Sequence, residues 1–352
     1  MLVGRDLLLT SIGTVAVMWT ATLAQAGVDV VPLGPSRAEL HWQGHMDVFD
    51  IVQLDRPVHP SKLREPSSAA ALVVTPSATA GARDRARTLG WSLVTAAGDG
   101  WLLFSDGACA ALPGRVPSET SHLTPQRGRH GWGRWSLVRE IVRCSGQTQG
   151  VLARSVGLSQ SRVSRLLTPL REQDLVQRTS QGWRATEWDE LVRWWLTSYP
   201  GPGGVTTWWY GLKPTQQQLL PALQVLQQAA KARSAAAPAI SGDSAADLIA
   251  PWRRPTTLVL YAHVGADLAL AGLTPAHGPD DATCQLVVPE DTGVWAAADA
   301  PPHPLSDGMQ APVVDGLQVL WDVVQSPGPD AAEQALRLQR HLRLQWERAS
   351  CT

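Results

Sequence analysis

Residues 148–184 read TQGVLARSVGLSQSRVSRLLTPLREQDLVQRTSQGWR, and their pattern decides the fold of the middle of the chain. Leu152, Val156, Leu158, Val163, Leu166, Leu167 and Leu170 recur at helical spacing, the inner face of two short helices. Gly157 falls where the chain must turn between them, and glycine reaches left-handed backbone angles without steric cost. Ser159 is a good N-cap for the second helix. Gln160, Ser161, Arg162, Ser164 and Arg165 then lie on its early turns, as short polar and basic side chains must in a helix that enters a major groove. Leu175–Thr179 predicts a strand, Ser180-Gln181-Gly182 a turn, and Trp183–Thr186 the return strand. The whole predicts a helix-turn-helix followed by a β-wing. Pro169 interrupts the second helix, beyond the residues that would reach bases.

Charge points the same way. Between Arg127 and Arg184 there are eleven Arg and no Lys against three acids (Glu140, Glu172, Asp174), in a chain of net charge −1. Phosphate neutralisation needs such a local excess. Ser159, Gln160, Ser161, Arg162, Ser164 and Arg165 are the candidate DNA contacts of the helix. Arg178 and Arg184 are those of the wing.

Working outward, 352 residues imply two or three domains. Residues 1–122 read as an α/β domain. Strand-like runs fall at Val28–Leu33, Ala38–Gln43, Met46–Leu54, Ala71–Thr75, Trp91–Thr95 and Trp101–Phe104, with a basic helix at Ser77–Leu89. Residues 111–131 are rich in Pro, Ser, Gly and Arg, which reads as a linker, with the domain boundaries placed at 123–131. The winged helix occupies 132–200, opening on a helix over Trp135–Cys144 and closing on one over Trp188–Leu196. Residues 201–352 form a third, α/β region. It holds an aromatic strand after a glycine-rich turn, a Leu/Gln helix at Pro214–Lys231, a helix–turn–strand over 242–264, and a strand and helices from Val313 onward. Residues 273–311 carry many Pro, Gly and Asp and read as long loops.

The N-terminal run admits two readings. Arg5, the apolar stretch Leu7–Trp19 and Ala24-Gln25-Ala26 imitate a secretory signal. Leu8, Ile12, Val15, Trp19, Leu23 and Ala26 also fall on one helical face, ended by Gly27. The folded helix is favoured, because a DNA-binding unit has no use outside the cell. The run is too short and polar to span a membrane. The four cysteines form no C-x-x-C pair, so neither a zinc site nor a disulfide framework is expected, and a cytoplasmic setting fits.

The arrangement resembles the actinobacterial proteins related to AbiEi, the antitoxin-repressor of type IV toxin–antitoxin systems. The residues that carry the resemblance are GPGGVTTWWYGL at 201–212 and AADLIAPWRRPTTLVLY at 245–261, after the winged helix. It covers roughly 130–330. It implies a DNA-binding regulator, with double-stranded DNA as partner, a toxin as a second partner through the C-terminal region, and a homodimer as an allowed assembly. It also implies a C-terminal domain similar to inactive nucleotidyltransferase folds; no D-x-D pair for two metals follows residue 201. The N-terminal domain resembles a degenerate restriction-endonuclease-like fold. Its metal strand would be MDVFDIVQL at 46–54, where Asp47 and Asp50 are present but the activating Lys is missing and Gln53 is neutral. No catalytic residue, metal or cofactor is therefore expected. The alternatives are a DNA-processing or DNA-maintenance protein with a working nuclease-like domain, and a toxin-neutralising scaffold.

Other groupings are weaker. His41, His45, Asp47 and His59 are close in sequence, a pattern commoner among scattered surface residues than in metal sites. Gly201–Gly204 lacks the GK[ST] of a phosphate loop and reads as a rigid turn. Arg253 and Arg254 are open between gripping an anion and decorating a solvated turn. Trp194, Trp195, Trp208 and Trp209 predict a seam between the winged helix and the third region.

Overall fold

The computed structural model describes residues 14–68, 70–114, 131–296, 303–305, 310–326 and 330–349. The chain is mixed α+β. Its first section runs α1 (Thr14–Gln25), β1 (Asp29–Gly34), β2 (Arg37–Trp42), β3 (His45–Gln53), β4 (Ala71–Thr75), α2 (Ala80–Thr88), β5 (Ser92–Thr95), β6 (Asp99–Leu103) and β7 (Cys109–Pro113). The seven strands lie side by side in chain order. β3, β4 and β5 are parallel and the other pairs antiparallel. Strand alternation divides the apolar residues between two faces. Phe49, Ile51, Leu72 and Val74 pack with Trp19 and Leu23 of α1, whereas Val73, Leu93, Trp91 and Trp101 pack with Ala82 and Ala86 of α2.

The middle section holds α3 (Trp132–Arg143), α4 (Gln149–Ser155), α5 (Gln160–Glu172), the hairpin β8 (Val176–Arg178) and β9 (Trp183–Ala185), and α6 (Trp188–Ser198). The last section holds β10 (Val205–Tyr210), α7 (Thr215–Ala232), β11 (Ala239–Ser241), α8 (Gly242–Ile249), β12 (Leu258–Tyr261), β13 (Thr274–Pro275), β14 (Cys284–Val288), α9 (Gly316–Gln325) and α10 (Ala331–Ala349). Its sheet has the order β11-β12-β14-β10-β13, with only β12 and β14 parallel.

Two expectations are corrected. The stretch from 111, read as linker, begins inside β7, which pairs with β6; of the linker 123–131 only Gly131 lies among the described residues. Residues 273–311, read as loops, contain β14, the middle strand of the C-terminal sheet. Cys284-Gln285-Leu286-Val287-Val288 is a short buried run, and its Pro-, Gly- and Asp-rich flanks hid it.

The sections are joined by their interiors. Helix α1 lies between the N-terminal sheet and β10, where the Thr20 hydroxyl donates to the Thr206 carbonyl at 2.5 Å and Val205 completes the apolar cluster of Trp19 and Leu23. Leu8 and Ile12 of the expected apolar stripe lie outside the described residues. One apolar core runs from Trp135 on α3 to Leu338 on α10, crossing residue 200 without a break.

A buried ionic network crosses the same seam. Arg139 on α3 is fully enclosed, donates to Asp291 at 2.5 Å and to the Gln318 side chain at 2.8 Å, and lies 3.1 Å from Asp315, the N-cap of α9. Its guanidinium stacks over Trp195 and Tyr199, and the Tyr199 hydroxyl donates to Asp291 at 2.7 Å. Burial works to lower the pKa of Arg139, but the surrounding groups, Asp291 and Asp315 among them, outweigh it and keep the guanidinium charged. The chain of bonds continues. Gln318 donates to the Tyr261 hydroxyl at 2.9 Å, and Tyr261 and Ser241 donate to Asp322. Burial pushes the Asp322 carboxyl up to about 7 against those hydrogen bonds.

Arg139→Met should lower stability by about 3–5 kcal/mol, because the carboxyls of Asp291 and Asp315 are left enclosed without their cation; a loss under 1 kcal/mol in urea unfolding would show the network to be dispensable. Asp322 has a native pKa above its unfolded value, so its contribution favours folding below that unfolded value and is lost as pH rises to about 7. Asp322→Asn should therefore gain stability relative to the parent on going from about pH 5 to about pH 8. Parallel unfolding curves for the two proteins across that range would contradict this.

Candidate nucleic-acid interface

The turn between α4 and α5 is built by caps and one glycine. Thr148 accepts the Val151 amide and Ser159 the Arg162 amide, each at 3.3 Å, so both helices begin where a hydroxyl meets an orphan N–H. Gly157 between them has φ +66°. Leu152, Val163, Leu167 and Leu170 are buried, and Val156, Leu158 and Leu166 pack against them half-buried. Helix α5 runs through Pro169 without ending there.

The hairpin is anchored from its far side. The Trp183 amide donates to the Gln147 carbonyl at 2.8 Å and the Gly146 amide to the Trp183 carbonyl at 3.0 Å, so Gln147 forms an isolated antiparallel bridge to Trp183 of β9. Gly182, at φ +138°, passes so close to Gln147 that a Cβ would stand 2.4 Å from its carbonyl carbon. Glycine is required there on both counts.

Ser159, Gln160, Ser161, Arg162, Ser164 and Arg165 are all exposed, as is Arg178 at the hairpin; Arg184 is half-buried. The first six share the N-terminal half of one helix and its cap. The Arg165 Nε donates back to the Ser161 carbonyl at 3.3 Å, which lays that side chain along the helix. Ser159 is exposed, but its hydroxyl already serves the cap.

The charge count needs correcting. Of the eleven arginines, Arg127 and Arg129 lie outside the described residues. Arg139 is enclosed in the seam, Arg143 pairs with Glu140 at 2.6 Å, and Arg134 lies over the Trp135 and Trp194 rings. Six remain: Arg154, Arg162, Arg165, Arg171, Arg178 and Arg184. None of them has an ion-pair partner among the described residues. Arg154, in the last turn of α4, and Arg171, in the last turn of α5, are further candidates that lie outside the recognition positions marked by the sequence pattern. Arg139 sits four residues after Trp135 and three before Val142, on the apolar stripe of α3, and that spacing was the available signal of burial.

The other groupings resolve structurally. On β3, Asp47 and Asp50 are an odd number of positions apart and point to opposite faces of the sheet. Burial works to raise Asp47, but hydrogen bonds from Ser105 and Val48 prevail and hold its carboxyl below the usual range. Asp50 faces Arg37 at 3.6 Å. His41 pairs with Glu39 and His45 with Asp106, and among the described residues no three His, Cys, Asp or Glu side chains gather as metal ligands would. The Pro202 carbonyl in the 201–204 turn accepts the Glu290 and Asp291 amides, so this turn is fastened to the end of β14. Arg253 bonds Asp243 at 2.7 Å, nearly enclosed, and closes the turn between α8 and β12; Arg254 is exposed. Of the four tryptophans expected at the seam, Trp195 is there, stacked 4.2 Å from Tyr199. Trp194 stacks on Trp135, while Trp208 and Trp209 belong to β10.

Comparison with family models, with curated proteins and with solved structures finds no match. No described helix is long and apolar enough to cross a membrane.

Gly182→Ala should cost about 1–3 kcal/mol and loosen the hairpin, since the strained angle and the contact with Gln147 act together. Amide exchange at Trp183 should accelerate well before global unfolding. Unchanged exchange there would mean the hairpin does not depend on this glycine.

Proposed function

We propose that this chain is a sequence-specific double-stranded-DNA-binding regulator of the AbiEi-like type, acting in the cytoplasm. Residues 132–200 would serve as a winged helix-turn-helix, with α5 in the major groove and the β8–β9 hairpin on adjacent phosphates. The observation that carries this reading is the segregation of arginines in the middle section. Those on α3 are engaged in the interior or by neighbours, and those on α4, α5 and the hairpin carry no ion pair among the described residues, leaving their charge for phosphates and base edges. The short side chains of Ser161 and Ser164 leave room for the duplex between Arg162 and Arg165.

A catalytic role is not proposed. A nuclease needs two carboxylates converging on one metal, and Asp47 and Asp50 diverge. Among the described residues of the C-terminal section the enclosed carboxylates are engaged in structural bonds: Asp243 with Arg253, Asp291 with Arg139 and Tyr199, Asp315 with Arg139 and the Leu317 amide, and Asp322 with Ser241 and Tyr261. That section reads as a platform for the middle one and, following the resemblance, as the side on which a toxin would dock.

Genome-wide mapping of bound DNA should yield one recurrent sequence, and Arg162→Ala should weaken binding to it by about 1–3 kcal/mol if Arg162 reads a guanine. The Arg178→Ala/Arg184→Ala variant should weaken specific and random duplexes alike, flattening the log K against log salt slope by about 0.9 per lost contact. Scattered occupancy with no recurrent sequence, and a slope indifferent to these residues, would refute the reading.

A further inference from the structure

The N-terminal section carries its charge on two different sides. Of the eight Lys and Arg in residues 1–114, six fall between Arg56 and Arg87; of the ten Asp and Glu, eight fall outside that interval. The fold brings those cations together on and around α2, with Arg85 and Arg87 on its two flanks. Helix α2 turns Ala82 and Ala86 inward and leaves Arg85 and Arg87 exposed. The segment holding Arg56, Lys62 and Arg64 runs beside it. Val58 pairs with Ala78, Pro60 stands 3.5 Å from where a Cβ on Gly81 would lie, and the Trp91 indole donates to the Arg64 carbonyl at 2.8 Å.

Five of the six cations are exposed and, among the described residues, have no ion-pair partner; the sixth, Arg83, is bound to Asp99. Arg87 is also steadied, its guanidinium 4.3 Å from the Trp101 ring centroid. The backbone beneath is fixed, because Ala82, Ala86 and Trp91 belong to a buried cluster with β4 and β5. Among the described side chains of residues 19–112, large exposed apolar ones are confined to Met46 and Val52, both on β3 and neither on α2. A membrane surface or an obligate protein partner would call for apolar anchors within the basic patch. Phosphate oxygens need only exposed guanidinium and ammonium groups on a rigid base.

We propose that this α2 surface is a second, sequence-independent contact for the phosphate backbone, holding the same duplex outside the stretch bound by α5 and the hairpin. The proposal rests on the DNA-binding reading above and extends it. It makes the N-terminal section a clamp on flanking DNA and assigns it no cleavage.

The test uses the full chain and two duplexes of mixed sequence, one of about 10 base pairs, a single helical turn, and one of about 40. On the longer duplex, Lys62→Ala/Arg64→Ala/Arg85→Ala should flatten the log K against log salt slope by about 2–3, close to 0.9 per contact, and on the shorter it should change nothing. The charge-retaining Lys62→Arg/Arg64→Lys/Arg85→Lys should keep the parent slope on both, which separates lost charge from lost folding. Equal slopes for parent and alanine variant on the longer duplex would overturn the proposal. So would an equal loss on both duplexes, or loss of binding to phosphatidylserine vesicles with DNA binding intact. Failure of the underlying reading looks different: Arg162→Ala/Arg165→Ala would then bind the shorter duplex as the parent does.

Discussion

Everything in the middle of this chain turns on one enclosed guanidinium. Arg139 takes a full charge out of water, and only Asp291, Asp315, Gln318 and two aromatic faces make that tolerable. Those partners come from α6, from the loop after β14 and from the start of α9, so the charge is satisfied in one relative placement of the sections. An apolar seam alone would permit sliding; a multidentate charge does not. The bonds then pass from Gln318 to Tyr261 and Asp322, so the placement of α3 is tied to the middle of the C-terminal sheet.

The carboxyl ends of the parallel strands explain why this matters. In open α/β sheets such ends form the crevice where ligands bind. Here the end of β14 leads into Asp291, bound to Arg139, and its Glu290 amide holds the 201–204 turn. The loop after β12 meets the N-terminal section, where the Gly265 amide donates to the Pro32 carbonyl at 2.7 Å, and Gln53 at the end of β3 donates to the Gly204 carbonyl at 2.8 Å. Among the described residues, those strand ends are thus engaged by the protein's own segments.

How much of this was legible varies with the range of the forces involved. The α4–α5 turn was read closely because Gly157 and Ser159 act on atoms a few residues away, whereas the Thr148 cap emerged only from the structure. The N-terminal strands up to Phe104 were found as short strand-like runs interleaved with a helix, β4 and β5 being continuous apolar-rich runs buried along their length. β7 and β14 were missed because their stability comes from partners distant in sequence, and their flanks have the composition of loops. Arg139 and Arg253 were counted with the surface cations, since residue type says charge and says nothing about a waiting carboxylate. The divergence of Asp47 and Asp50 was present in the strand period itself, and follows from counting positions along β3.

The strand order of the N-terminal sheet has a bearing on how the chain comes to be folded. Seven strands laid down in sequence pair only with their predecessors, so the sheet can assemble while the ribosome is still working, each loop closure being short. Helix α1 is the exception. One flank packs on that early sheet, but the other waits for β10, and Thr20 meets Thr206 only after 186 further residues have been made. At about 5–20 residues per second that is a delay of roughly 10–40 s, during which an apolar helix flank stays uncovered and open to chaperones.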